Sequence, residues 1–180
     1  MRVLLWNLSV LLMAFSGVQP LQPSGLLEEI ESHCVVVVVS QEESGELIVT
    51  DPVCYPTLEG ALAAASHGRL GDDVSSWAEF LSDHGLDVVV SSFTLGTHFD
   101  GANGTGSSIS IVGTECTGGY WNTGASWANR ISSSWNGCYR LRHHDSPGKT
   151  GSSADTVGAG THNLPAAMNN KTESVSYWSS

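Results

Sequence analysis

What most constrains this chain is an internal echo. Ala128-Asn129-Arg130-Ile131-Ser132-Ser133 returns in altered form, 41 residues on, as Asn169-Asn170-Lys171-Thr172-Glu173-Ser174. Each copy follows a glycine-rich loop, the first from Phe99 to Ser108 and the second from His144 to Ser153. The loops match at an offset of 45, and both close on Gly-Ser-Ser. A repeat of this size means two copies of one supersecondary unit that bury their apolar faces against each other. The texture around it is β. Phe93-Thr94-Leu95 reads as a strand, and Ser108-Ile109-Ser110-Ile111-Val112 alternates with period two. Trp121, Trp127 and Trp135 are spread through the first copy, and Tyr177-Trp178 closes the second. Short strands between Gly, Ser and Asn turns predict a sandwich or barrel. Trp127 and Trp135, flanking the signature, are expected in its core.

The segment before the repeat has a different character. Cys34 is followed by five valines, a β-branched run that reads as a strand buried on both faces. Gly45 marks a turn, and Leu47-Ile48-Val49 returns as a second strand. Thr57 is placed to cap a helix with Leu58, Ala61, Leu62 and Ala65 on one face. A second helix is expected from Asp72 or Asp73, with Val74, Trp77, Ala78 and Leu81 on one side and His84-Gly85 as its stop. Such a unit is too small to be stable without a disulfide. Residues 1–16 read as an export signal: Arg2, a mostly apolar stretch, then Ala14-Phe15-Ser16. That stretch is shorter than the ~20 residues a bilayer demands. The division is therefore a signal at 1–16, an acidic α+β extension at 17–90 and a β domain at 91–180. Motif one of the domain covers 91–136 and motif two 137–180. The mature chain is expected to be secreted and monomeric, binding neither membrane nor nucleic acid.

Charge supports that expectation. The net formal charge is −11, and between residues 17 and 90 thirteen acids face Arg69 alone. From 91 to 180 five acids meet five bases. The acidic half repels nucleic acid and anionic lipid, and keeps an exported protein in solution. Four cysteines in an exported chain predict two disulfides. Three pairings are open; the nearest-neighbour one, Cys34 with Cys54 and Cys116 with Cys138, is the expectation, each closing a loop worth about 3 kcal/mol. Without a C-x-x-C spacing, zinc on cysteine is not expected. His98, His143 and His144 are read as surface-loop residues. The chain carries no Gly-x-Ser-x-Gly elbow, His-Glu-x-x-His helix or phosphate loop, so an enzyme is not expected.

The two loops and two signatures together resemble the βγ-crystallin family. The family's first motif asks for an aromatic, a second aromatic five residues on, and a glycine two further. Phe99 and Gly106 fit it, with Gly104 at the second aromatic; in the second copy Gly151 fits, with His144 and Lys149 at the aromatic positions. Ser108 and Ser153 stand where the family often has a serine that ties the loop down. The second motif, a pair of Asn or Asp, two free positions, then Ser/Thr-Ser, is met by Asn129, Ser132 and Ser133 behind Ala128, and by Asn169, Asn170 and Ser174 with Glu173 at the hydroxyl position. The resemblance implies a mainly β sandwich of two Greek-key motifs behind a small α+β extension. It also implies calcium, with Ser132 and Asn129 facing the loop at Asp145, and Glu173, Asn169 and Asn170 facing the loop at Asp100. The run from Asn129 to Ser133, the terminal Trp178, Pro52-Val53-Cys54 and the helix after Thr57 are similar to exported bacterial proteins resembling metalloproteinase inhibitors of this fold. A secreted binding protein that inhibits an extracellular peptidase is the leading expectation. A calcium-binding structural module is the alternative, and a secreted toxin or cell-wall or carbohydrate-binding protein the third.

Overall fold

The computed structural model describes residues 31–66 and 92–180. The export segment, most of the acidic lead-in and the second helix lie outside the described residues. The valine run forms β1 (His33–Gln41), followed by β2 (Leu47–Val49), β3 (Val53–Tyr55) and helix α1 (Leu58–Ala65). Thr57 caps α1 as expected, its side chain accepting the Gly60 N–H. The repeat then supplies β4 (Phe93–Phe99), β5 (Ser108–Gly113), β6 (Thr117–Asn122), a short helix α2 (Gly124–Trp127) and β7 (Ser133–Asn136). Its second copy supplies β8 (Arg140–Ser146), β9 (Thr150–Val157), β10 (Gly160–Asn163) and β11 (Ser174–Trp178).

Two sheets result, and each motif lends its third strand to the other. The first sheet runs β10-β7-β4-β5-β1-β2, with β3 also on β1; the second runs β6-β11-β8-β9. The fold is thus the mainly β sandwich of two Greek keys that the repeat predicts. Neither motif can close its own sheet, so each is completed only by its sister. Leu95, Ile109, Ile111, Trp121, Ile131, Leu141, Val175 and Tyr177 fill the space between the sheets.

The extension does not pack beside this sandwich but is hydrogen-bonded into it. β1 runs parallel to β5, with Cys34 opposite Ile109 and Val37 opposite Val112. Its two faces then bury separately, as the unbroken valine run requires. Val36 joins the core between the sheets. Val35 and Val37 join Val112 under Ala61 and Ala65 of α1, on the outer face. Each buried valine contributes about 1.5–3 kcal/mol. Beyond β1 the turn at Gly45 reaches the second sheet, where the Tyr120 N–H donates to the Gly45 carbonyl at 2.9 Å. One segment therefore covers the open edges of both sheets on one side, edges that would otherwise invite pairing with other chains.

Both nearest-neighbour disulfides form. Cys34 and Cys54 are direct cross-strand partners in the β1–β3 pair. Cys116 and Cys138 join the β5–β6 and β7–β8 links, two of the three places at one end where the chain crosses between sheets, the third being the β9–β10 link. Two tryptophan expectations divide. Trp127 is buried, but Trp135 is 38% exposed. Side chains alternate along a strand, and on β7 Ser134 and Asn136 take the inward positions: Ser134 meets His98 and Asn136 meets Thr156 in the interior. Trp135 therefore faces out.

Because β3 is three residues long and held by Cys54, the Cys34→Ser/Cys54→Ser variant should lose about 3 kcal/mol of unfolding free energy in urea titration. Limited proteolysis should cut it first between β2 and α1.

Candidate functional site

The two signature stretches meet each other. Asn129 and Asn170 both take a left-handed backbone, at φ 60° and 55°, a conformation that asparagine tolerates better than most residues. From there each donates its N–H across the pseudo-two-fold: Asn129 to the Thr172 carbonyl at 2.9 Å, Asn170 to the Ile131 carbonyl at 3.0 Å. The side chains repeat the exchange. Asn129 Nδ2 donates to Glu173 Oε1 at 2.8 Å, and Ser132 Oγ donates to Asn170 Oδ1 at 2.9 Å.

The last serine of each signature then ties down the hairpin of its own motif. Ser133 Oγ donates to the Gly101 carbonyl and accepts the Gly104 N–H at 2.9 Å. Ser174 Oγ donates to the Ser146 carbonyl and accepts the Lys149 N–H at 3.1 Å. These two serines do the tying, rather than Ser108 and Ser153. Ser108 is taken up by His33, whose Nδ1 lies 2.9 Å from its hydroxyl, and Ser153 is exposed. The motif glycines are required: Gly106 and Gly151 have φ of 76° and 75°, and a Cβ on either would collide with Oδ1 of Asp100 or Asp145.

A pair of asparagines that the sequence reading missed clamps the loops from the other motif. Asn163, at the end of β10, accepts the Asn103 N–H at 2.6 Å and donates to the Asn103 side chain at 2.7 Å. Asn122, at the end of β6, accepts the Gly148 N–H at 2.8 Å. Gly148 has no side chain to receive the amide, and Glu46 of the extension takes it instead, at 2.8 Å. Their spacing of 41, equal to that of the signatures, was the available signal.

The backbone sets each signature against the hairpin of its own motif. The Ser132 N–H donates to the Phe99 carbonyl and the Glu173 N–H to the His144 carbonyl. The backbone of Ser132 thus runs beside the loop at Asp100 and that of Glu173 beside the loop at Asp145, while their side chains cross to Asn170 and Asn129 of the other motif. The neighbouring serines, by holding each hairpin to its own signature, impose this. Asp100 Oδ2 is 2.7 Å from the Arg130 guanidinium. Asp145 Oδ1 accepts the Ser152 N–H at 2.8 Å. Asn169 donates its backbone N–H to Pro165. Calcium takes six to eight oxygens with carboxylates directed at it. Here one oxygen each of Asp100, Asp145 and Glu173 meets a donor, and among the described residues no three His, Cys, Asp or Glu side chains form a metal-binding group.

The histidines are not surface-loop residues. His98 and His143 are motif mates at the offset of 45, both fully buried, with ring centroids 5.7 Å apart, edge to face. His98 is satisfied by Ser134 Oγ at 2.8 Å and Tyr177 Oη at 3.0 Å; neither ring nitrogen of His143 has a hydrogen-bond partner. Burial, and then the adjacent His144, push His143 down to about 3, against the pull of Asp155. Burial and His143 also push His98 well below the usual histidine range. A cleft of about 210 Å³ beside β1 is lined by Val38, Gln41, Leu47, Leu95, Glu115 and Tyr177 among others, and offers one carboxylate and no histidine.

No protein-family model matches the chain, and no curated protein does. Among solved structures, it is similar to a double mutant of a betagamma-crystallin domain from Clostridium beijerinckii, at 16% identity and a TM-score of 0.39, over 47% of this chain and 97% of that one. A single mutant of a betagamma-crystallin domain from the same organism gives 15% and 0.39, over 47% of this chain and 98% of that one.

Two outcomes follow from this geometry. Ser133→Ala strands the Gly104 N–H and Gly101 carbonyl, and should cost about 1–3 kcal/mol, read by chemical unfolding and by faster amide exchange at Gly104. The second concerns pH. A histidine held neutral in the folded state contributes no pH dependence above about 6.5, where both states are neutral. Below that the unfolded chain binds a proton that the folded chain refuses. Stability should therefore fall between about pH 6.5 and 3, by about 1.4 kcal/mol per pH unit for each such histidine. His143→Phe should remove one proton's worth of that slope in urea titrations at pH 7, 6, 5 and 4.

Proposed function

We propose that this chain is a secreted binding protein that lodges its β7–β8 link in the cleft of an extracellular peptidase and blocks it. The observation that carries the reading is Tyr139, 54% exposed on a backbone fixed at every neighbouring position. The N–H groups of Gly137 and Cys138 both donate to the Leu95 carbonyl, at 3.1 and 2.8 Å. Cys138 is 2% exposed and bonded to Cys116. The Tyr139 carbonyl accepts the Gly158 N–H at 2.7 Å. A ligand held rigid before binding loses little conformational entropy on association, and a fixed exposed tyrosine is a favoured anchor of interfaces. Val157, next to it on β9, is 47% exposed, and Trp135 stands two residues before the link.

The resemblance to inhibitor-like exported proteins supports a peptidase as the partner. Two disulfides favour an oxidising compartment, and among the described residues no helix is long and apolar enough to cross a membrane. The test is a panel of metallo- and serine peptidases incubated with micromolar protein. Inhibition of at least one is expected, and Tyr139→Ala should weaken it tenfold or more, a loss of about 1.4 kcal/mol, with an unchanged melting temperature. A panel left fully active at micromolar protein overturns the reading.

A further inference from the structure

We propose that Arg130 is a built-in cation: its guanidinium ties the Asp100 hairpin to the turn of α2, at the loop where the resemblance implies a divalent ion, and the fold is complete without one. Three contacts support this. Nη2 lies 2.7 Å from Asp100 Oδ2, in the first hairpin. Nη1 donates to the Ser126 carbonyl at 2.9 Å, in the last turn of α2. The guanidinium carbon stands 4.9 Å from the centre of the Trp127 ring. One permanently charged, planar group therefore joins hairpin, helix and signature, the elements an ion would otherwise bridge.

The remaining oxygens agree. A calcium ion near Asp100 would need oxygens within about 2.3–2.6 Å while sharing the carboxylate with a fixed positive charge. Asn170 Oδ1 already accepts from Ser132 Oγ, and Glu173 Oε1 already accepts from Asn129 Nδ2. Lys171 holds the position matching Arg130 in the second signature. There Asp145 receives a backbone N–H, so neither copy leaves its loop aspartate free of donors. The Arg130 and Asp100 side chains are 44% and 26% exposed, so the pair is screened by salt and its effect is largest in dilute buffer.

The test is a thermal melt of the full chain in low salt, with 5 mM calcium chloride or with EDTA, for the natural protein, Arg130→Gln and Asp100→Asn (~5 mM is far above the affinities of most folded calcium sites). The natural protein should melt at the same temperature in both buffers. Arg130→Gln should melt about 2–4 °C lower in EDTA and recover part of that loss in calcium. Asp100→Asn should melt lower in both buffers alike. A clear calcium-induced rise in the natural protein overturns the proposal, as does an Arg130→Gln melt unchanged in EDTA. A destabilised Arg130→Gln that ignores calcium also overturns it, since Arg130 would then be an ordinary ion-pair partner and not a stand-in for a metal. Because this test does not involve Tyr139 or any peptidase, its failure leaves the functional reading standing, and the reverse holds.

Discussion

Two backbone hydrogen bonds hold the rest of this structure in register: Asn129 to Thr172 and Asn170 to Ile131. They are the points where the motifs cross. Each motif has given its third strand to the other sheet, so the sandwich stands only if the two signatures stay aligned across their pseudo-two-fold. The left-handed asparagines turn the chain into this crossing. The serines that follow fasten a hairpin on each side, and the hairpins in turn are gripped by asparagines at the ends of the exchanged strands. The repeat is thus a closed set of mutual constraints. A change at one signature is felt in both sheets.

The extension repairs the place where the two copies are unequal. In the first copy the Asn163 side chain accepts the Asn103 N–H and donates to the Asn103 side chain; in the second, Gly148 offers no side chain, and Glu46 arrives from outside the repeat to accept the Asn122 amide. The same turn pairs with Tyr120 at the open edge of the second sheet, while β1 covers the edge of the first. Three features of the extension therefore have one physical basis. The valine run supplies a strand with two apolar faces, the disulfide fixes β3 against it, and the turn carries an acceptor to a loop that lacks one.

Much of this was legible in the sequence, for identifiable reasons. The loop and signature echoes fixed two Greek keys, because the glycine and asparagine positions carry backbone conformations that few residues adopt. The valine run required apolar cover on both sides, and Thr57 marked the helix start. The parallel pairing of β1 with β5 was not legible, since nothing local to residues 33–41 selects a partner 75 residues away. Nor was the burial of His98 and His143. A histidine beside an aspartate in a polar stretch reads as a loop residue, and only the exchange of strands places both rings at the centre of the sandwich. The placement of the signatures was illegible for a related reason: which hairpin each backbone lies against is decided by Ser133 and Ser174, whose partners are tertiary.

The two ends of the sandwich consequently do different work. At one end lie the hairpins, the crossed signatures and Arg130, where nearly every named polar side chain is engaged with another part of the chain. At the other, about 20 Å away along the strands, lie the links between sheets, with Tyr139, Val157 and Trp135 exposed. The Cys116–Cys138 bond secures that second end. A surface committed to internal hydrogen bonds gains little by meeting a partner, because each new contact must displace one already made. An aromatic held out on a fixed backbone has no such debt. The same repeat that makes the signature end self-sufficient therefore frees the opposite end for recognition.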